Sequence, residues 1–425
     1  MISRLLCLIL LFAAHSSFAQ LAQQLDQYSR ASLTEYYEFL SLACDANHPE
    51  ELTANIAWCK KAFEKRGFTV KQLDMPRIPI LLASRNHKDA IKTVLFYVQV
   101  DGQPVDSTKW QQPSPWTPTL KEQQADGSWK SIDWYNLEGE INPDWRVFAR
   151  AASDAKGPIN MFLAALDVMI TRKEMPNYNI KVIMDTEEEL GSPYLPAAVQ
   201  KYKKELAADM FVILDGPRHF NNVPTLAFGA RGIATIHLES FGPKVPQHSG
   251  HYGNYVPNPA LKMAQLLASM KDEHGRVSIP GFYDGIQLTD EIKTQLAEVP
   301  DDEDAIRRKI GFAKADGVGE NLQEAIQYPS LNIRGLSSGW VNDKVRTIIP
   351  DKAIAEIDVR LVLESDPERL LKLIRRHIEQ QDFFITEGMP TDEERARHPN
   401  LISWRSKISY QAFRTNFDTE IGRWL

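Results

Sequence analysis

Three short runs that are apolar on both sides of the chain constrain this 425-residue sequence more than any other feature. Residues 93–100 (TVLFYVQV), 179–184 (NIKVIM) and 210–214 (MFVIL) are rich in β-formers and lack the alternation of a half-exposed strand. Each needs cover on both faces. Helical patterns lie between them. Residues 51–66 carry apolar side chains at helical spacing and stop at Gly67, and residues 158–172 open on a proline and are apolar all round, as a buried central helix is. Strands alternating with helices predict an α/β domain built on a mainly parallel sheet with both faces covered.

After Gly232 the pattern changes. Residues 233–238, 330–336 and 353–362 read as strands and 259–270 and 366–380 as helices. The order β, α, β, β, α is that of an α+β sandwich, so a second domain is expected at about 230–388, with the first spanning 20–229. Residues 389–425 are too few for a domain and are expected to begin a return to the first sheet, with Leu425 reading as a premature end. Residues 102–145 hold five of the nine tryptophans, at 110, 116, 129, 134 and 145, with a hairpin turn expected at Asp126-Gly127. This stretch is either an insertion that packs its own indoles or the rim of a substrate cleft.

Composition removes several function classes. A formal charge of −7, with no long basic block, argues against nucleic acid as a partner. Arg4, the apolar run 5–14 and the small residues of Ser17-Phe18-Ala19 read as a secretory signal over 1–19, cleaved near Ala19, which implies a secreted or periplasmic protein. A run of ten is too short for a stable membrane span. Cys44 and Cys59 remain, either bridged or as two independently buried thiols, and neither has the CxxC spacing of a structural zinc site.

The chemistry is expected where the buried strands end. Gln99 and Asp101 close the first run, Asp185, Glu187, Glu188 and Glu189 follow the second, and Asp215 follows the third. Open α/β sheets build their sites outside the carboxyl ends of strands, and Asp154, just before the 158–172 helix, faces the same crevice. Carboxylates that converge repel one another, and a divalent cation is the usual resolution. Each acid also has a local reading: Thr186-x-x-Glu189 fits a capping box, and Asp154 could be a simple helix cap.

The motifs Ala152-Ser153-Asp154-Ala155-Lys156-Gly157, Glu188-Glu189-Leu190-Gly191-Ser192 and Gln247-His248-Ser249-Gly250, with Pro257-Asn258-Pro259 after the last, resemble those of the dinuclear-zinc exopeptidases. That family includes carnosinase-like dipeptidases, glutamate carboxypeptidases and succinyl-diaminopimelate desuccinylases. The resemblance runs from about residue 30 to the end. It implies an α/β catalytic domain with an inserted α+β, ferredoxin-like domain that serves as lid and homodimer interface. It further implies two divalent metal ions, zinc in that family, with Asp154 bridging them and Glu189 and Asp215 each binding one. Glu188 is then the general base and Asp101 the acid that orients the first ligand. His248 would hydrogen-bond the oxyanion, and Arg360 and Thr347 would hold the carboxylate of a peptide or N-acyl amino acid.

This chain departs from that pattern. The family's His-x-Asp reads Gln99-Val100-Asp101 here, so the ligand expected at Gln99 is a weakly donating amide, and the family's other histidine ligand lies beyond the residues present. Both weaken zinc, since Asp154, Glu189 and Asp215 offer only oxygen, which suits Mg, Ca or Mn. The function expected is a secreted metal-dependent exopeptidase, dipeptidase or amidase. The alternative is an impaired family member that binds peptides without cleaving them. A third reading takes Gly335-Leu336-Ser337-Ser338-Gly339 as a serine-hydrolase elbow with His377 or His398, which requires a strand, a sharp turn and then a helix.

Overall fold

A computed structural model describes residues 21, 23–216 and 218–425 and divides into two units, 1–217 and 218–425. The expected signal segment lies outside the described residues. The first unit begins with a helix over 23–40 and the helix Pro49–Glu64. Strands β1 (Thr69–Leu73), β2 (Ile80–Arg85) and β3 (Thr93–Gln99) follow. Then come β4 (Thr119–Gln123), β5 (Trp129–Ser131) and β6 (Arg146–Phe148), the helix Lys156–Arg172, and β7 (Asn179–Asp185) and β8 (Met210–Ile213).

The main sheet has the order β1-β2-β7-β3-β8. β3 lies between β7 and β8 and is parallel to both, whereas β1–β2 and β2–β7 are antiparallel. The sheet is therefore mixed, and its parallel part is the three apolar runs. Strand β1 escapes the sequence pattern because polar residues interrupt it, whereas β2 opens on the buried run Ile80-Leu81-Leu82-Ala83.

Val94, Val98, Val182 and Met184 pack with Ile159, Leu163 and Leu166 of the helix Lys156–Arg172, all almost fully buried. Burying a side chain of that size contributes about 1.5–3 kcal/mol. This packing fixes the start of the helix against the carboxyl ends of the strands. Lys156, fully buried, donates from Nζ to the carbonyls of Phe39 (2.8 Å) and Leu42 (2.7 Å), tying the helix start to the end of the first helix. Arg66, 2 % exposed, donates to Asp167 (2.8 and 2.5 Å) and Glu35 (2.7 Å), which anchors the helix further along.

The tryptophan-rich insertion folds on itself as a three-stranded sheet of order β5-β4-β6. Gly127, at φ +82°, makes the turn between β4 and β5. Trp134 Nε1 donates to the Pro118 carbonyl (3.1 Å), Trp145 Nε1 donates to Glu122 (3.0 Å), and Trp129 packs edge-on against Phe148. Cys44 and Cys59 are free and buried, so the bridge is not formed. Burial pushes the thiols up to about 11 and about 12 respectively.

The second unit carries β9 (Gly229–Ala230), β10 (Gly232–Phe241), β11 (Gln247–His248), β12 (Ser330–Ser338) and β13 (Ile348–Ile349). β14 (Lys352–Leu361), β15 (Phe384–Thr386), β16 (Leu401–Tyr410) and β17 (Phe413–Arg414) complete it. Its main sheet has the order β12-β14-β10-β16-β15. β10 alternates buried with half-buried residues, and Ala234, Ile236 and Leu238 meet Met263, Leu266, Ile374 and Ile378 of the helices Pro259–Ser269 and Pro367–Gln380. Both helices begin with proline behind a side-chain cap: Asn258 accepts from the Ala260 N–H (2.9 Å) and Asp366 from the Arg369 N–H (3.1 Å).

This unit corrects two expectations. Residues 401–410 do not return to the first sheet: β16 runs antiparallel beside the whole of β10, because its buried Leu401-Ile402-Ser403 start continues the second core. The serine-hydrolase elbow is also absent. Ser337 lies within β12, paired with Ile354, and the chain then passes to a single turn at Asn342–Lys344 and to β13 rather than into a helix. His377 is engaged by Ser269 (2.8 Å) and His398 is stacked on Phe384.

Candidate metal centre

The local readings of the acids fail. The helix Lys156–Arg172 has Ala155 at its N-cap and no side-chain cap, so Asp154 is not spent on capping. The turn Glu188–Leu190 begins at Glu187, likewise uncapped, so Thr186 and Glu189 form no capping box.

Two of the acids that follow β7 are internal. Asp185 accepts from the N–H groups of Thr186 (2.8 Å) and Glu187 (3.1 Å), from Tyr97 Oη (3.1 Å) and from Ser192 Oγ (2.6 Å). Glu187 pairs with Arg77 (2.6 Å). Both are buried and engaged by these partners, and they hold the strand-to-turn segment that presents Glu188 and Glu189.

The remaining acids share one field. Asp101 is fully buried. Its Oδ2 accepts from the Glu189 N–H (3.0 Å), and burial, with the Asp185 charge assisting, pushes its carboxyl up to about 7. Glu188 is pushed up to about 7 by burial and by the charges of Glu189, Asp101, Asp215 and Asp154. Glu189 is raised by burial and by Asp154, and Asp154 by burial and by Asp215. Asp215 sits just past β8 and accepts from the Gly216 N–H (2.7 Å). Four segments distant in sequence thus bring Asp101, Asp154, Glu188, Glu189 and Asp215 close enough to repel.

The structure also shows what restrains that repulsion. Gln99, the last residue of β3 and 2 % exposed, donates from Nε2 to Asp154 Oδ1 (2.5 Å). Gln103 Nε2 donates to Glu189 Oε2. The Arg150 guanidinium lowers both Asp154 and Glu189. Gln103 and Arg150 are absent from the residues singled out by sequence. Arg150 precedes Asp154 by four positions in an irregular turn, where no periodicity marks it.

Three buried oxygens in this region have no hydrogen-bond partner: Gln99 Oε1, Asp101 Oδ1 and Glu189 Oε1. Buried oxygens among repelling carboxylates are the signature of a position that wants a cation. The donors are all oxygen and fit a hard divalent ion. Among the described residues, no three His, Cys, Asp or Glu side chains stand in a preformed metal-holding group. The amides of Gln99 and Gln103 account for part of this, since each occupies a carboxylate oxygen that a cation would otherwise take.

The residues expected in the second unit fall into two places. His248 and Thr347 come together, because β11 pairs with β13, opposing His248 to Ile348, and the Thr347 carbonyl accepts from the Ser249 N–H (3.2 Å). His248 is exposed and stacked on His251, and its Nδ1 accepts from the Gly250 N–H (3.0 Å), which leaves Nε2 as the donor. Arg360 lies on β14, opposed by Ile233 and Ser330, with Nε 3.7 Å from Asp358.

Residues 228–383 match the model of a peptidase dimerisation domain of the M20 type. The chain is 26 % identical over 426 residues to the human Beta-Ala-His dipeptidase, covering 94 % of this chain and 79 % of the relative. It is 27 % identical over 338 residues to a Cys-Gly metallodipeptidase of Schizosaccharomyces pombe, covering 74 % and 63 %. Among solved structures, an M20 family metallo-carboxypeptidase of Sulfolobus solfataricus superimposes with a TM-score of 0.69 at 25 % identity, over 92 % of this chain and 81 % of the other. The chain is a homologue of the M20 metallopeptidases. Human carnosine dipeptidase 1 shares the fold as well, with a TM-score of 0.72 at 22 % identity over 95 % and 83 %. No helix among the described residues of this M20 homologue is long and apolar enough to cross a membrane.

Proposed function

We propose that this M20 homologue is a metal-dependent hydrolase that cleaves dipeptides or N-acyl amino acids with water. The observation that carries the reading is the meeting of Asp154, Glu188, Glu189 and Asp215 over Asp101, with buried oxygens left unpartnered. Asp154, Glu189 and Asp215 would hold the divalent ion, and a second ion, which the family resemblance implies, would need donors that Gln99 does not supply. When bound, the ion supplies Lewis acidity and a more acidic water.

The chain's own groups do the rest. Among the described residues the Glu188 side chain has no hydrogen bond to fix it, and burial with its neighbours' charges makes it ready to take a proton near neutral pH. Asp101 orients the Glu188–Glu189 turn through the Glu189 N–H. His248, with Nε2 as donor, is suited to an oxyanion, and Arg360 to a substrate carboxylate. The second unit is proposed as the homodimer interface, and the 1–19 segment as the signal that exports the protein. The non-catalytic reading is not retained, because the relatives bear the names of dipeptidases.

The test uses the purified full chain with Mn²⁺ or Zn²⁺ and the dipeptides β-alanyl-histidine and Cys-Gly, with release of the free amino acid as the readout. Hydrolysis that needs the ion and is lost in Glu188→Gln, with the ion still bound, supports the proposal. Hydrolysis indifferent to chelator or to that substitution overturns it.

A further inference from the structure

The second unit contains a cavity of about 300 Å³, bounded by the start of β12, the helix Glu303–Ile310 and the turn Leu322–Ala325. Val277, Tyr283, Ile306, Phe312 and Leu331 make its lining largely apolar. Cavities of this size and character, carrying one or two polar groups, are the usual form of a small-molecule site.

The charged groups in the wall are not alike. Lys271 pairs with Asp316 (3.3 Å). Arg307 pairs with Glu303 (3.4 Å) and Asp304, and Glu303 also accepts from the Leu322 N–H (2.7 Å). Arg231 differs. Its Nη2 donates to two neutral acceptors, the Tyr328 carbonyl (2.8 Å) and Ser330 Oγ (3.2 Å), while its Nε is buried and without a partner. Among the described residues it has no ion pair. Burial and the nearby Arg360 both disfavour its charge, and only Asp358 opposes them. A half-buried guanidinium without an ion pair among the described residues, beside an apolar hollow, is an incomplete anion site.

We infer that this cavity binds a small apolar carboxylate, an aryl- or alkyl-carboxylic acid whose carboxylate meets Arg231 and whose hydrocarbon part fills the lining. Carboxylate is the complement of guanidinium in geometry and charge, and the apolar wall selects against small inorganic anions. The cavity is lined entirely by the second unit, so the inference does not depend on the acid cluster of the first.

The test is isothermal titration calorimetry of the full chain, in chelator, with 3-phenylpropionate and its neutral isostere 3-phenylpropionamide. The acid should bind at least about tenfold more tightly than the amide, a difference that Arg231→Met erases. Ala325→Leu, which fills the cavity, should abolish binding of both. No binding of the acid, equal binding of acid and amide, or acid binding unchanged in Ala325→Leu overturns the inference. Should Arg231→Met fail to fold by circular dichroism, the acid-to-amide ratio and Ala325→Leu decide the matter.

Discussion

Replacing Gln99 by glutamate isolates the role of its amide, because the shape is retained and only the group facing Asp154 changes. The native contact is an N–H···O bond of 2.5 Å in a position 2 % exposed. Two charged carboxylates at that separation would repel by about 7 kcal/mol at an effective dielectric near 20. The pair instead shares a proton when that costs less. Holding a carboxyl protonated whose unfolded pKa is about 4.3 costs about 5 kcal/mol near pH 8 and about 1 kcal/mol near pH 5, at 1.36 kcal/mol per unit. The sign is that of a raised acid: the folded variant keeps a proton the unfolded chain has released, so its deficit grows as pH rises. Urea denaturation of Gln99→Glu against wild type, in chelator, should therefore show a deficit about 4 kcal/mol larger near pH 8 than near pH 5. A deficit that does not change with pH refutes the proposed contact between Gln99 and Asp154.

Glu188→Gln should lower kcat by about 10²–10⁴ without loss of bound ion, measured by dipeptide hydrolysis and metal analysis. In chelator the same variant should gain thermal stability over wild type as pH rises from about 5 to 8, because Glu188 is held up at about 7 and ionising it in the folded state is unfavourable. Leu163→Ala, at a fully buried position behind the candidate site, should cost about 2–5 kcal/mol in urea denaturation. Arg66→Met leaves Asp167 and Glu35 without their buried cation and should cost about 3–5 kcal/mol by the same measurement.

What the sequence disclosed follows from the kind of signal each feature leaves. The strands at 93–100, 179–184 and 210–214 are readable because burial on both faces forces an unbroken apolar run, and the acids are readable because they interrupt such runs at one end. Asp185 and Glu187 looked equal to Glu188 and Glu189 in that pattern, and only the partners Tyr97, Ser192 and Arg77 set them apart as internal. Gln103 and Arg150 left no trace, since their importance lies in which carboxylates they face after folding. Strand β1 was hidden by its polar residues, most of which are exposed, whereas β2 opens on the buried run Ile80-Leu81-Leu82-Ala83. The placement of residues 401–410 depends on which core their apolar start joins, a choice between two sheets that local pattern does not encode.

The account rests on a cation answering the crowding of Asp154, Glu188, Glu189 and Asp215, and the direct measurement is metal binding itself. Equilibrium dialysis of the full chain against Mn²⁺ or Zn²⁺, read by elemental mass spectrometry, should find a bound divalent ion that Asp154→Asn releases. Dipeptide cleavage should rise and fall with its occupancy. A wild-type protein that binds no divalent ion at millimolar concentration, or one whose cleavage of dipeptides ignores the ion, contradicts the account.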